Sequence, residues 1–499
     1  MKTKVVHICG TGSDVGKSVV VAGLCRIFLQ DGYKVCPFKS QNMALNSFIT
    51  KEGGEIGRAQ ATQAQACCIE PTVDMNPILI KPTSDVGAQI IVRGKPIGNM
   101  KALEYIEYKK ELVTTIMESY QRLQEEYEVI IMEGAGSPAE INLKEHDIVN
   151  MKMAELADSP VILVGDIDKG GVFACLWGTV DLLTEEEKGR VKGMIINKFR
   201  GDKSLLGSGL DILEQKTGMK VLGVVPYFKD IRIPEEDSVS LERSERKAGW
   251  GDASVNIGVI RLPHISNFTD FDPLENEKDV SLRYITHKED VADADVIIIP
   301  GTKNTISDFT WLAKTGVASE IKKKAGSAVI VGICGGFQML GNTILDPLHI
   351  ESDLNEVEGL GFLEMTTTLE KEKTTTQVKA QEISTGIHVT GYEIHHGRTE
   401  YSQDLSPVFE IVKSRGKGVS VKDGGKNLSG TIWGTYLHGV FDNDEFRQTF
   451  LNKAAKRGEI PAPSQNSTFN QDKEFDKLAS LLRENIDMEY IYKIIEKKI

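Results

Sequence analysis

The sequence contains no apolar run near the ~18 residues that a membrane helix needs; its most aliphatic stretches, such as Val161-Ile162-Leu163-Val164, are only a few residues long. No membrane partner is expected. It also lacks any C-x-x-C pair or zinc-like spacing of cysteine and histidine, since seven cysteines are scattered from Cys9 to Cys334. That excludes a disulfide scaffold or a structural zinc module and predicts free thiols in a reducing compartment. A basic surplus is missing as well: 59 Lys and Arg face 72 Asp and Glu, for a formal charge of −13. A surface built to neutralise a phosphate backbone is therefore not expected, nor is nucleic acid as a partner. MKTKVVHIC runs straight into a glycine-rich loop and shows no secretory leader, so a cytoplasmic location is expected.

What is present is an ordinary globular balance, 40% hydrophobic and 26% charged, over 499 residues, enough for two large cores. Short Val/Ile-rich runs alternate with amphipathic stretches at 4–9, 34–38, 129–132, 161–164, 193–197 and 221–225. The same alternation resumes at 256–262, 295–300, 328–334 and 431–439. Such spacing predicts an α/β protein of two domains, each a mostly parallel sheet flanked by helices. The expected division is a domain at 1–233, a charged linker at 234–253, a second domain at 254–450 and a helical extension at 451–499. A Lys/Glu/Thr-rich patch at 369–377 predicts an exposed loop or hairpin.

Residues 10–18, GTGSDVGKS, follow the first predicted strand and precede a helix whose Val20, Val21, Leu24, Ile27 and Phe28 share one face. This is a phosphate-binding loop. Gly12, Val15 and Gly16 let backbone N–H groups turn toward phosphate, Lys17 reaches the β/γ-phosphates, and Ser18 offers a hydroxyl to Mg²⁺. ATP is the expected nucleotide. Thr11 stands where the strict motif has glycine, and Gly10 and Gly16 are one residue further apart than it prescribes. The longer G-T-x-x-x-V-G-K-S form resembles the dethiobiotin synthetase type of loop, whose enzymes phosphorylate carboxylates or carbamates. Glu133, opening E-G-A-G-S-P at the end of a strand, is the second candidate Mg²⁺ ligand, ahead of Asp166 and Asp168. Lys39, Gln41 and Asn42, in F-K-S-Q-N-M after the second strand, are candidate contacts for a carboxylate-bearing substrate.

In the second half, AVIVGICGGFQMLG places Cys334 at a strand-to-helix turn between glycines, a nucleophile elbow in thiol form. Small neighbours permit the sharp turn, the helix start favours a thiolate, and nearby N–H groups can hold an oxyanion. His438 in T-Y-L-H-G-V-F is the candidate base, with His395 and His396 as competitors.

The elbow C-G-G-F-Q, with P-G-T-K-N-T at 300–305, Y-E-I-H at 392–395 and Y-L-H-G-V-F, resembles the class I, triad-type glutamine amidotransferases of cobalamin biosynthesis. Through F-K-S-Q-N-M-A-L-N-S, N-P-I-L-I-K-P-T-S-D, E-G-A-G-S-P-A-E-I-N-L, D-I-D-K-G-G-V-F-A and I-N-K-F-R-G-D, almost the whole chain is similar to the adenosylcobyric acid synthase family. The resemblance implies a P-loop NTPase fold followed by a flavodoxin-like amidotransferase fold, with ATP, Mg²⁺ and L-glutamine as reactants and cofactor. It implies a small corrinoid substrate, adenosylcobyrinic acid a,c-diamide, amidated at its b, d, e and g carboxylates. It also implies that Gly301, Thr302, Gly335 and Gln338 form the oxyanion and glutamine pocket. One departure stands out. Triad members carry H-x-E, whereas this chain has His438-Gly439-Val440, so the orienting acid must come from elsewhere; Glu393 is the candidate. The alternatives are a cobyrinic acid a,c-diamide synthase, against which K-S-Q-N-M and D-I-D-K-G-G speak, and a P-loop switch ATPase with a dead amidotransferase domain.

Overall fold

The computed structural model describes residues 3–83, 87–228, 230–234, 250, 253–457 and 470–499. Most of the expected linker at 234–253 lies outside the described residues.

The N-terminal half is built on a six-stranded sheet, all parallel, in the spatial order Val221–Pro226, Val191–Phe199, Val161–Asp166, Lys4–Gly10, Val129–Glu133, Val35–Phe38. The aliphatic runs pair because each strand is buried on both faces: Ile131, Leu163 and Ile196 have no solvent exposure. Parallel strands align their carboxyl ends, so Gly10, Phe38, Glu133, Asp166 and the end of the 191–199 strand face one edge. Two smaller sheets, one of Gln41–Met43, Ile78–Pro82, Gly87–Val92 and Lys95–Lys101, the other of Ser47–Ile49 and Glu55–Gly57, branch from this edge toward the second half.

The second half repeats the scheme with strands Val280–Ile285, Val255–Ile260, Val296–Ile299, Val329–Ile333, Ile432–Thr435 and Gly425–Lys426, parallel except for the last. Beside it stands a largely antiparallel sheet whose longest members are Met365–Glu382 and His388–Tyr401. The 369–377 patch belongs to this long strand, which corrects the exposed-loop alternative. Its Lys373 side chain is only 5% exposed because it crosses to the N-terminal half and meets Glu55 at 2.6 Å.

The C-terminal segment does not remain with the second half. Helices Gln471–Asn485 and Met488–Ile495 return to the N-terminal domain, where Leu478, Leu482, Ile491 and Ile494 join the core around Val20, Leu24 and Phe28. Gly23 makes the close approach possible, since a β-carbon there would lie 2.3 Å from Leu482 Cδ1. Arg26 locks the contact through Asp476 at 2.7 Å and Asp472 at 3.1 Å. No helix among the described residues is long and apolar enough to cross a membrane.

Candidate active sites

Two sites sit at the carboxyl edges of the two parallel sheets, where crossover connections leave a crevice. The first is the loop between Gly10 and the helix Lys17–Gln30. Gly16 has φ +94°, a left-handed conformation that a side chain resists, and a β-carbon there would also strike Asn197 Nδ2. Asn197 in turn donates to Val15 O at 2.9 Å and so holds the loop from below. Gly12 has open space beside it, and its carbonyl accepts from Lys17 Nζ at 2.7 Å.

Glu133 is the hub. Its carboxylate, 1% exposed, accepts from Ser18 Oγ at 2.9 Å, from Lys39 Nζ at 2.8 Å and from Gln63 Nε2. Burial disfavours its charge, but Lys39, Gln63 and Lys17 outweigh that and hold the carboxyl below the ordinary range. The structure thus brings both candidate metal ligands together, and places Lys39 against one of them rather than free in a loop. The E-G-A-G turn is clamped by Asn150, which accepts from Ala135 N at 3.1 Å and donates to Ala135 O at 2.7 Å. Gln41 accepts from Tyr105 OH at 2.7 Å and Asn42 donates to Gln60 at 2.9 Å. Lys17, Ser18, Lys39, Gln41, Asn42 and Glu133 line one cavity of about 1360 Å³. Asp166 and Asp168 are engaged elsewhere, by Lys198 at 3.2 Å and Arg200 at 2.6 Å.

A hard-cation site fits here. Ser18 and Glu133 offer oxygen donors side by side, and water and phosphate oxygens would supply the remaining positions. The carboxylate that now leans on Lys39 would gain a stronger counter-charge.

The second site is the elbow. Cys334, 6% exposed, has φ 52° and ψ −109°, a strained conformation between strand Val329–Ile333 and helix Gly335–Leu340. The flanking glycines are steric necessities: a β-carbon at Gly332 would lie 2.6 Å from Gly336 O, and one at Gly336 would run into Ile299 O. At Gly335 it would lie 2.8 Å from Thr302 Cγ2 and 3.3 Å from Thr302 N, so the two candidate oxyanion segments touch. Thr302 is fixed by donating to Asp308 at 2.5 Å. Gly301 gives room to the imidazole, since a β-carbon there would come 3.0 Å from His438 Cε1. Gln338 is tied to Thr305 Oγ1 at 3.1 Å and Tyr436 OH at 3.3 Å.

His438 follows three residues after strand Ile432–Thr435, which lies next to the elbow strand in the sheet. Its Nδ1 meets Asp270 Oδ2 at 2.6 Å, while its buried Nε2 has no hydrogen bond and faces Cys334 electrostatically. Burial alone would lower this imidazole, but Asp270, and then Cys334, outweigh it and raise its pKa to about 10.

Glu393 is therefore not the orienting acid. Tyr392 and His438 exchange backbone hydrogen bonds at 3.2 and 2.9 Å, and the Tyr392 ring stacks on the imidazole at 5.1 Å. Glu393, the next residue in the strand, points to the opposite face, 3.7 Å from His395 Nε2. Asp270, from the turn Phe268–Phe271, was not foreseen. Each competitor has one ring nitrogen engaged by a backbone carbonyl and not by a carboxylate: His395 Nδ1 meets Gly397 O at 2.8 Å and its ring stacks on Tyr436, and His396 Nδ1 meets Glu370 O at 3.1 Å, while the Nε2 of each is without a hydrogen bond.

Both halves line the cavity in front of Cys334, about 30 Å³ in volume, with Lys81 from the N-terminal half and Thr302, Lys303, Glu351 and Lys373 from the other. Lys81 and Lys373 flank fully buried Glu55 at 2.9 and 2.6 Å. Asn46 and Asn267 complete the seam by accepting from Phe268 N and Ser47 N at 3.1 and 2.9 Å.

Residues 6–241 match a family described as the CobQ/CobB/MinD/ParA nucleotide binding domain, and residues 256–446 match the CobB/CobQ-like glutamine amidotransferase domain. Among curated proteins, the chain is 53% identical to the cobyric acid synthase of Clostridium botulinum (strain 657 / Type Ba4), across 99% of each chain. It is 50% identical to that of Dehalococcoides mccartyi (strain ATCC BAA-2266 / KCTC 15142 / 195), across 99% of each. It is also 50% identical to that of Syntrophobacter fumaroxidans, across 97% of each.

Proposed function

Because the chain belongs to the cobyric acid synthase family, we propose that it is a glutamine-hydrolysing amide synthase that converts the b, d, e and g carboxylates of adenosylcobyrinic acid a,c-diamide to amides, one after another, at the expense of ATP. The observation that carries the reading is the alignment of Cys334 on its strained elbow with an imidazole held by Asp270. A core cysteine would need neither.

In the glutaminase step Cys334 Sγ attacks the amide carbon of glutamine. His438, kept protonated by Asp270, stabilises charge on the neighbouring sulfur and gives its proton to the departing ammonia. The N–H groups around Gly335 and Thr302 hold the oxyanion, and water then displaces the thiolate and frees glutamate. In the synthetase pocket the γ-phosphoryl group of ATP passes to a substrate carboxylate oxygen. Lys17 and the loop N–H groups stabilise the charge in transit. Ammonia attacks the acyl carbon, the C–O bond to phosphate breaks, and the amide remains. Free carboxylate would not react usefully with ammonia in water, so the phosphorylation is a chemical requirement. Ser18 and Glu133 would hold Mg²⁺, whose contribution when bound is to screen phosphate charge.

Lys39 would be released from Glu133 to meet the reacting carboxylate, with Gln41 and Asn42 beside it. The domain boundaries proposed are 1–233 and 254–450, with the helices beyond 470 serving the first domain's core. The test is mass spectrometry of an incubation with ATP, Mg²⁺, glutamine and the a,c-diamide. Four successive losses of about one dalton, each the exchange of OH for NH₂, are expected; no mass change, or a stop short of four, would contradict the reading.

A further inference from the structure

A thiol, an imidazole and an oxyanion cradle would hydrolyse many primary amides. Selectivity for glutamine has to come from its far end, where one carbon bears both an ammonium and a carboxylate. A pocket that recognises that head needs one cation and one anion close together, neither already neutralised by a protein partner of its own. Three lysines border the Cys334 cavity. Two of them, Lys81 and Lys373, already share Glu55. The third, Lys303, directly follows Thr302 of the oxyanion segment, is 9% exposed, and has no ion pair or hydrogen bond through its ammonium among the described residues. Burial lowers its pKa to about 8, with Lys373 adding to the effect and Glu351 opposing it.

Glu351 borders the same cavity from the other side of the segment. One of its oxygens accepts from Thr305 N at 2.6 Å, and its backbone carbonyl accepts from Asn304 Nδ2 at 2.9 Å. The loop that carries it is folded around Asp346, which accepts from the N–H groups of Ile350, Glu351 and Ser352 at 2.7, 2.9 and 3.1 Å. Burial raises its carboxyl and Lys303 opposes that rise, so the two groups feel each other. A buried cation and a partly buried anion without a direct bridge between them are a costly arrangement that a zwitterion placed between them would relieve.

We propose that Lys303 and Glu351 recognise the amino-acid head of glutamine, Lys303 receiving the α-carboxylate and Glu351 the α-ammonium; this rests on the glutaminase reading of Cys334. The experiment compares ammonia release from glutamine, from glutaramate, which lacks the ammonium, and from 4-aminobutanamide, which lacks the carboxylate. The full-length chain, Lys303→Met and Glu351→Gln are each measured as kcat/KM. Each preference is a ratio within one protein, so a loss of folded fraction cancels. The unsubstituted chain should favour glutamine over both analogues by about 10- to 100-fold, the size of one charge-assisted hydrogen bond. Lys303→Met should lose the preference over 4-aminobutanamide and keep that over glutaramate, and Glu351→Gln should do the reverse. Both preferences surviving in both variants, or both collapsing together in each, would overturn the assignment. An unsubstituted chain that frees no ammonia from glutamine would overturn the glutaminase reading itself, and this site with it.

Discussion

The two sites occupy equivalent edges of two similar parallel sheets, yet they are built in opposite ways. The phosphate-loop cavity is wide, about 1360 Å³, and its polar groups are held by partners a ligand could replace: Lys39 pairs with Glu133, Ser18 donates to the same carboxylate, and Lys17 donates to the Gly12 carbonyl. The thiol cavity is about 30 Å³, and the groups proposed to react there are already held in place, with Cys334 strained at the elbow and His438 bound to Asp270. A site that must admit a triphosphate and a large substrate benefits from charges that exchange partners. A site that repeats one hydrolysis on a small amide benefits from pre-organisation. The contrast implies that damage to the thiol site should spare chemistry driven by free ammonia, whereas damage to the phosphate loop should stop synthesis from any nitrogen source.

The largest effect expected is that of Cys334→Ser. Glutamine-dependent amide formation should fall to background, a loss on the order of 10⁶ in kcat as for other nucleophiles that act as a unit with their base. Ammonium chloride should still support it. Loss of both would mean the sites are not separate. Next comes Asp270→Asn, which leaves the shape intact but removes the charge that holds the imidazole, for an expected fall of about 10²- to 10⁴-fold in glutaminase kcat. It also has a pH signature. His438 is raised from 6.5 to about 10 on folding, so its stabilising contribution is complete below 6.5 and fades as pH rises through about 10. Thermal unfolding of the unsubstituted chain should show that alkaline decline, and the Asn variant should lack it.

Lys17→Met should lower ATP-dependent synthesis by about 10²- to 10³-fold with either nitrogen source while glutamine hydrolysis continues, measured by parallel glutamate and amide assays. The smallest change to chemistry, but a clear one in stability, is expected from Glu55→Gln. It leaves Lys81 and Lys373 facing each other uncompensated, at a cost of about 3–5 kcal/mol seen in denaturant unfolding. Burial opposes the Glu55 charge, but Lys373 and Lys81 hold its carboxyl well below the ordinary range. The seam should therefore be intact at neutral pH and weaken progressively as pH falls below the ordinary carboxylate value of 4.5 toward that lowered one.

What the sequence made legible was local. Cys334 and Lys17 each sit where a strand turns sharply into a helix, and small residues within a few positions announce that turn. His438 was readable because it closely follows a strand. Asp270 was not readable: it lies 168 residues from His438 along the chain and meets it only through the fold, from the turn Phe268–Phe271. Glu393 lies within the Y-E-I-H motif, but the two-residue periodicity of its strand turns it away from His438. The docking of the last two helices onto the first domain was equally silent, since the amphipathic face of 471–495 does not say which core it completes. Lys373 looked solvated among its charged neighbours, and only its opposition to Glu55 across the two halves explains its burial.

Nitrogen released at one edge has to be consumed at the other. Nitrogen-15 NMR of the corrinoid product, after incubation with amide-labelled glutamine and ATP alongside unlabelled ammonium, tests this directly. Labelled signals in the product's new amide groups are predicted, and their disappearance with Cys334→Ser. Label found only as free ammonium, with glutamate accumulating and no labelled amide, would contradict it.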